Sequence, residues 1–265
     1  MNVLVCCKIV PDLDRLSESD WVVQDHVRID TGFLRTRVNP YDESALELAL
    51  RLADEAPARM TALTLGGPQA DPFLKTLRAL RFDPTVRIEA QGDGRFCPDG
   101  VAARIAAYVA AGHPQDLVVM GRQSADGDNG KTPLLLAELL GWPCITEVLG
   151  FKPAGEGRLR VTSRVDAGLL VQVARLPLVL AVGNAAGSAL RVPTLKSRMQ
   201  TSRQRTEVLD AALEPAIGGF GRDAVLEELA PIRRRRAGRI VTGVDARATA
   251  RALYQGGLKQ RLENR

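Results

Sequence analysis

Residues 124–133, Ser-Ala-Asp-Gly-Asp-Asn-Gly-Lys-Thr-Pro, place two carboxylates, a lysine and several small residues within ten positions. The closing Gly130-Lys131-Thr132 matches the end of a nucleotide-triphosphate loop, where backbone N–H groups wrap the phosphates. Such a loop needs a glycine five positions before Gly130, and this chain has Ala125 there. The next residue is Pro133, which has no N–H to offer. The pattern argues against triphosphate hydrolysis but suits an anion site. Residues 116–120 read as a buried strand and residues 133–141 as a helix, with Thr132 as its N-cap and Pro133 its first helical residue. Gly121, Ser124, Gly127, Asn129 and Gly130 keep the loop small and polar, so N–H groups and a helix N-terminus can meet a phosphate. An ordinary strand-to-helix loop is the competing reading. Asp126 and Asp128 could act as paired carboxylates, although turn stabilisation uses the same residue types.

Other chemistry is sparse. His26 and His113 are far apart, lack a Ser/Asp or Cys partner at triad spacing, and read as surface residues. Cys6, Cys7, Cys97 and Cys144 show no metal-ligand spacing and read as reduced, buried thiols. No nucleophile and base can be named for a hydrolase.

The elements that must position these residues alternate. Residues 1–12 open on an apolar run, as a central parallel strand does. At residues 38–55 a helix begins with Asn39 as cap, Pro40 at its first position and Asp42 three after the cap. Ala45, Leu48, Ala49 and Leu52 share one face. Further strand and helix pairs follow to residue 142, which predicts a parallel α/β sheet with helices on both faces. Loops at Cys6-Cys7-Lys8, Gly66-Gly67-Pro68 and 121–132 fall at strand C-termini, where ligands sit in open α/β sheets. No GxGxxG follows the first strand, so a dinucleotide site of the usual type is disfavoured. From Ile145 the period changes to that of an antiparallel meander with turns near Gly155 and Asp166, and residues 176–183 return to the main sheet. Beyond Arg191 the period is lost and an extended arm is expected, with short helices over residues 224–232 and 245–262.

Composition fits this reading: 45% of residues are hydrophobic and only 4% aromatic, so Leu, Val and Ala build the core. No apolar run is long enough to span a bilayer, and a cytoplasmic location with no membrane insertion is expected. Residues 191–265 carry a surplus of +8 charges while residues 1–190 carry −3. Two regions follow, a nucleotide-binding body at 1–190 and a basic arm at 191–265. Arg233, Arg234, Arg235 and Arg236 could hold nucleic-acid phosphates. No aromatic residue interleaves with them for stacking, and no nucleic acid partner is expected.

Taken in order, residues 2–12, 38–52, 66–68, 116–132, 140–143, 176–182 and 191–199 resemble the β subunit of electron transfer flavoproteins. The likeness covers residues 1 to about 200 well and the tail loosely. It implies a Rossmann-like fold of the adenine nucleotide alpha hydrolase type. It implies AMP bound in this subunit, FAD shared with an α subunit in a heterodimer, and a flavin-dependent dehydrogenase as electron donor. A second FAD in place of AMP, as in bifurcating members, is the alternative. By the resemblance, Cys6, Asn39, Pro40, Tyr41, Asp42, Gly66 and loop 121–132 line the nucleotide site. That loop comprises Gly121, Arg122, Gln123, Ser124, Ala125, Asp126, Gly127, Asp128, Asn129, Gly130, Lys131 and Thr132. Tyr41 falls where the family has an aromatic ring near the flavin. Residues 185–199 match the dehydrogenase-docking loop, with Leu195 as apolar anchor and Arg191, Lys196 and Arg198 as a charged rim. The basic arm would wrap the α subunit. Arg164 reverses a charge that in the family touches the mobile FAD domain of the α subunit, which implies a compensating change there.

Overall fold

A computed structural model describes every residue except 18–19, 91–93, 186, 211–225, 231–237, 239 and 264–265. The apolar runs read from the sequence become strands β1 (Asn2–Cys6), β2 (Arg59–Gly66), β3 (Thr85–Glu89) and β4 (Leu117–Gly121). Helices α1 (Pro40–Glu55), α2 (Asp71–Ala79), α3 (Pro98–Ala110) and α4 (Thr132–Leu140) alternate with them. Then come β5 (Cys144–Pro153), β6 (Arg158–Val165), β7 (Gly168–Arg175) and β8 (Leu178–Val182), followed by α5 (Leu195–Gln200) and β9 (Glu207–Leu209).

Among the described residues these nine strands form one sheet in the order β7-β6-β5-β8-β4-β1-β2-β3-β9. From β5 to β9 all neighbours run parallel, whereas β6 is antiparallel to both β5 and β7. The expected meander is therefore an extension of the main sheet, with β5 parallel to β8 on one side and antiparallel to β6 on the other. Successive side chains of a strand point to opposite faces, and each face has its own core. Val3, Val5, Val119 and Leu180 pack with Leu46, Leu50, Leu74 and Leu77 of α1 and α2. Leu4, Cys6, Val118 and Met120 pack with Ile105, Tyr108, Leu136 and Ala137 of α3 and α4. Each such fully buried leucine contributes roughly 1.5–3 kcal/mol. The expectation of a parallel sheet with helices on both faces holds.

Some expectations need correction. The first strand stops at Cys6; Ile9–Pro11 pairs instead with Thr36–Val38 in a separate ribbon. The stretch after Arg191 is more ordered than its sequence suggests. It forms α5 and then β9, which adds to the sheet beside β3. Helix α5 buries none of its residues, so no apolar period could announce it. Residues 226–230 are irregular rather than helical, and the rest of that expected helix lies outside the described residues. His113 is not simply a surface residue: its ring stacks on Tyr108 with centroids 4.2 Å apart.

The chain separates into two compact units, Met1–Leu229 and Ala230–Arg265. In the second unit Asp245 caps α6 (Ala246–Leu253), its Oδ1 accepting from Ala248 N at 2.7 Å. The four consecutive arginines lie outside the described residues. No described helix is long and apolar enough to cross a membrane.

Candidate functional site

Strands β1 and β4 lie side by side at the centre of the sheet. The chain proceeds from β1 toward β2 and β3, then returns to place β4 on the other side. The crevice between their carboxyl ends is thus a topological switch point, the usual ligand position in such sheets.

Two side chains from the start of α1 close this crevice. Asp42 is buried and bridges the two strand ends: its Oδ2 accepts from Lys8 N at 2.8 Å and its Oδ1 from Gly121 N at 2.7 Å. Burial pushes its pKa up to about 6, although both backbone donors and the Lys8 charge work in the opposite direction. The approach leaves no room at Gly121, where a Cβ would stand 2.5 Å from Asp42 Oδ1 and 2.6 Å from Tyr41 Cβ. Asn39 occupies the cap position of α1 but makes no side-chain cap bond. Its buried amide grips the loop instead, with Nδ2 donating to Gln123 O at 2.8 Å and Oδ1 accepting from Ala125 N at 3.1 Å. The capping role expected of Asn39 and the matching role of Asp42 are therefore replaced by contacts some eighty residues away in the chain, to Gln123 and Gly121.

The loop is held on its remaining sides as well. Lys8 Nζ pairs with Asp126 Oδ1 at 2.8 Å, Asn129 Nδ2 donates to Arg95 O at 3.1 Å, and Gln123 Nε2 donates to Asp128. Gly127 N donates to Ser124 Oγ at 3.3 Å, and a Cβ at Gly127 would lie 2.6 Å from Arg95 O. Asp126 and Asp128 thus each hold a partner that fixes the loop. Helix α4 begins one residue earlier than expected, with Lys131 rather than Thr132 at the cap position and no side-chain cap bond. Lys131 is exposed and forms no ion pair among the described residues. The backbone N–H groups of Asp126, Asn129 and Gly130 have no acceptor among the described residues. Free amides beside an uncapped helix N-terminus form a concentrated donor set for an anion.

The other expected site residues are placed less uniformly. Cys6 contributes backbone at the crevice, while its side chain belongs to the core under α3 and α4. Burial, then the Asp42 charge, push its thiol far above the ordinary range, so it is no nucleophile. Pro40 is exposed in the first turn of α1. Gly66 ends β2, and its carbonyl accepts from Arg87 NH1 at 3.2 Å. Arg87 is buried and also pairs with Asp71 at 2.8 Å and with Glu89. Nothing in the run Thr-Val-Arg-Ile-Glu marked it beyond a charge inside an apolar strand.

Arg122 leaves the loop altogether. Its guanidinium pairs with Glu147 and lies 5.6 Å from the Tyr41 ring centroid, within cation–π reach. Its Nε is buried and has no partner. Glu147 stands where the β5–β8 register shifts, with φ of 52°. Arg122, Gln123, Gly130, Pro133 and Glu147 line a cavity of about 190 Å³ beside the N-terminus of α4. Sequence reasoning missed Glu147; a lone acid in a mostly apolar strand was its only sign.

In α5, Leu195 is 74% exposed and Lys196 and Arg198 are exposed too. Arg191 is directed inward: its Nε and NH2 reach Glu47 at 3.0 and 2.9 Å, and NH1 reaches Asp54 at 2.8 Å.

Comparison with known proteins gives these features a context. The sequence profile of the electron transfer flavoprotein domain matches residues 30–214. A chain of Escherichia coli (strain K12) named as electron transfer flavoprotein subunit YgcR is 34% identical over 99% of this chain and 100% of its own length. The acryloyl-CoA reductase electron transfer subunit gamma of Anaerotignum propionicum is 29% identical over 79% of this chain and 78% of its own. An electron transfer flavoprotein subunit beta from Syntrophomonas wolfei is 27% identical over 80% of this chain and 81% of its own.

Proposed function

From its place in the electron transfer flavoprotein family, to which this chain belongs as a β-type subunit, we propose that it binds AMP structurally and serves as one half of an electron-carrying heterodimer. The observation that carries the reading is the clasp of Asn39 and Asp42 on loop 121–132, which leaves the Asp126, Asn129 and Gly130 amides free beside α4. A nucleotide phosphate suits that donor set. Backbone N–H groups and a helix end attract it, Lys131 adds a charge, and the nearby carboxylates of Asp126, Asp128 and Glu147 are engaged by Lys8, Gln123 and Arg122. Cys6, Pro40 and Gly66 contribute backbone surroundings rather than chemistry.

FAD shared with an α subunit would supply the redox chemistry of the pair. This chain's part is to shape one wall of that site and keep water from it. Tyr41, with Arg122 over its ring and the unpartnered Arg122 Nε beside the cavity, offers an aromatic surface and one donor to such a cofactor. Electrons would come from a flavin dehydrogenase docked at Leu195 and Lys196, and pass to an acceptor such as a quinone oxidoreductase. Arg191 supports that surface from beneath.

Strand β7 supports a stable partner chain. Among the described residues it ends the sheet with its outer edge unpaired, and Leu169, Leu170, Val171 and Val173 are exposed on its two faces. An apolar edge of this kind favours association with another chain. The α subunit is the proposed occupant, with the basic arm wrapping it. A second FAD in place of AMP is the other reading, favoured by the likeness to the acryloyl-CoA reductase subunit.

Nucleotide content tests both. The chain is co-expressed with an α-type subunit, the complex is purified and denatured, and FAD and AMP are counted per heterodimer. One of each is the expected outcome. Two FAD and no AMP would move loop 121–132 into the redox path, and neither nucleotide would end the proposal.

A further inference from the structure

We infer that Glu47 and Arg78 are positioning residues for the docking segment: their side chains fix residues 187–206 and hold Val192, Leu195 and Met199 out toward solvent. Helix α5 has no buried residue, and Val192, Leu195 and Met199 are 79%, 74% and 68% exposed. Beneath it, a cleft of about 250 Å³ separates Ser197, Gln200 and Thr201 from the end of α2. The helix therefore has no apolar seat of its own; before it Leu190 packs on the core, and polar attachments hold both its ends.

The incoming end is fastened to one face of α1. Ser44, Glu47, Arg51 and Asp54 recur at helical spacing on that face. Glu47 is buried, and its carboxylate accepts from Arg191 Nε at 3.0 Å, Arg191 NH2 at 2.9 Å, Arg191 N at 3.2 Å and Arg51 Nε at 3.1 Å. Asp54 takes the remaining Arg191 nitrogen, Arg51 also donates to Gly187 O, and Ser188 Oγ donates to Ser44 Oγ at 2.8 Å. The outgoing end is fastened by Arg78 of α2, itself buried, which donates to Gln204 O at 2.6 Å, to Thr206 Oγ1 at 2.9 Å and to Thr85 Oγ1. After that point β9 joins the sheet. Three arginines, Arg51 and Arg191 at one end and Arg78 at the other, thus lock a helix that could not lock itself. The reason for the lock is that a docking surface ordered in advance loses less entropy on binding.

The functional half of this inference rests on the docking reading given above, so the test separates the two. Hydrogen exchange is followed in the heterodimer for wild type, Glu47→Gln, Arg191→Gln, Arg78→Met and Arg78→Lys. Glu47→Gln and Arg78→Met are expected to speed exchange at Ser197, Arg198 and Thr201 about tenfold or more, with amides of β1 and β4 unchanged. Arg78→Lys should recover part of the protection. If Glu47→Gln does not yield folded protein, Arg191→Gln cuts the same attachment from its exposed side. Unchanged exchange in these variants, or acceleration spread equally over the core, overturns the inference. In parallel, electron uptake from a substrate-reduced flavin dehydrogenase is measured. Glu47→Gln should raise KM about tenfold with kcat held, as weakened docking requires. Leu195→Ala should raise KM without altering exchange. A Leu195→Ala protein with unchanged KM would sink the docking reading while the exchange result still decides the attachment.

Discussion

Helix α1 serves two regions from its two halves, and they are built differently. At its start, Asn39 and Asp42 grip backbone groups of loop 121–132 and of Lys8. Further along, Glu47 and Asp54 grip the guanidinium of Arg191. The first half buries neutral N–H donors against a carboxylate and leaves other amides of the loop free, so it shapes a concave donor surface. The second pairs opposite charges and leaves apolar side chains pointing outward, so it shapes a convex one. One helix therefore fixes the distance between the place suited to a phosphate and the place suited to a protein partner.

The largest expected effect breaks the first half. Gly121→Ala would put a methyl group 2.5 Å from Asp42 Oδ1 and 2.6 Å from Tyr41 Cβ, both on a helix that cannot retreat without disturbing the core. A loss on the order of 3 kcal/mol is expected in a urea melt, together with loss of bound nucleotide. A protein as stable as wild type would show that the crevice is looser than the contacts state.

The second prediction sets the two halves against each other by pH. Asp42 is raised in the folded state from its ordinary 3.8 to about 6, so the stability it permits is full below its unfolded pKa and is lost as pH rises through about 6. That loss is roughly 3 kcal/mol. Glu47 has the opposite sign. Burial acts to raise it, but the hydrogen bonds from Arg191 and Arg51 outweigh burial and hold it below its ordinary 4.5. Its contribution is present above that value and fades as pH falls through the folded pKa. Urea melts carried from pH 7 down to well below Glu47's ordinary 4.5, so that both groups are spanned, should show a component that falls with rising pH and is removed by Asp42→Asn. Glu47→Gln should leave that component in place and flatten the acid limb instead. Identical profiles for the two variants would remove the distinction between the halves.

The smallest effect on the chain itself concerns β7. Leu169 is 68% exposed, so Leu169→Lys should change its stability by no more than about 0.5 kcal/mol. The same change should abolish copurification with an α-type subunit if the edge is covered in the heterodimer. Unimpaired copurification would direct attention to another surface.

How much of this was legible depended on whether burial leaves a period. Strands β1 to β4 were readable as short, nearly unbroken apolar runs, and helices α1 to α4 by apolar residues at helical spacing. Helix α5 was not, because a helix with no buried residue has no stripe to detect. Loop 121–132 could be singled out by its small and polar residues, but the side chains that shape it could not. Asn39 and Asp42 satisfy the pattern of a helix start so well that spacing alone gives no reason to look for partners at Gln123 and Gly121, and the family resemblance put them at one site without showing the bonds. The dual pairing of β5 was hidden for a related reason: alternation reports which face is buried, not which neighbour lies on either side.

The position of β8 has a consequence for how the chain is made. Leu178–Val182 is wholly buried and sits between β4 and β5, both of which precede it in synthesis. Until residue 182 has left the ribosome, β4 has an open flank and the β5–β7 ribbons have nothing to rest on. The sheet therefore closes by insertion of a late strand, a long-range step that is slow and leaves hydrogen-bonding groups exposed while it waits. A nascent chain halted before Leu178 would need a chaperone, whereas one halted after Val182 would already hold the framework on which both halves of α1 act.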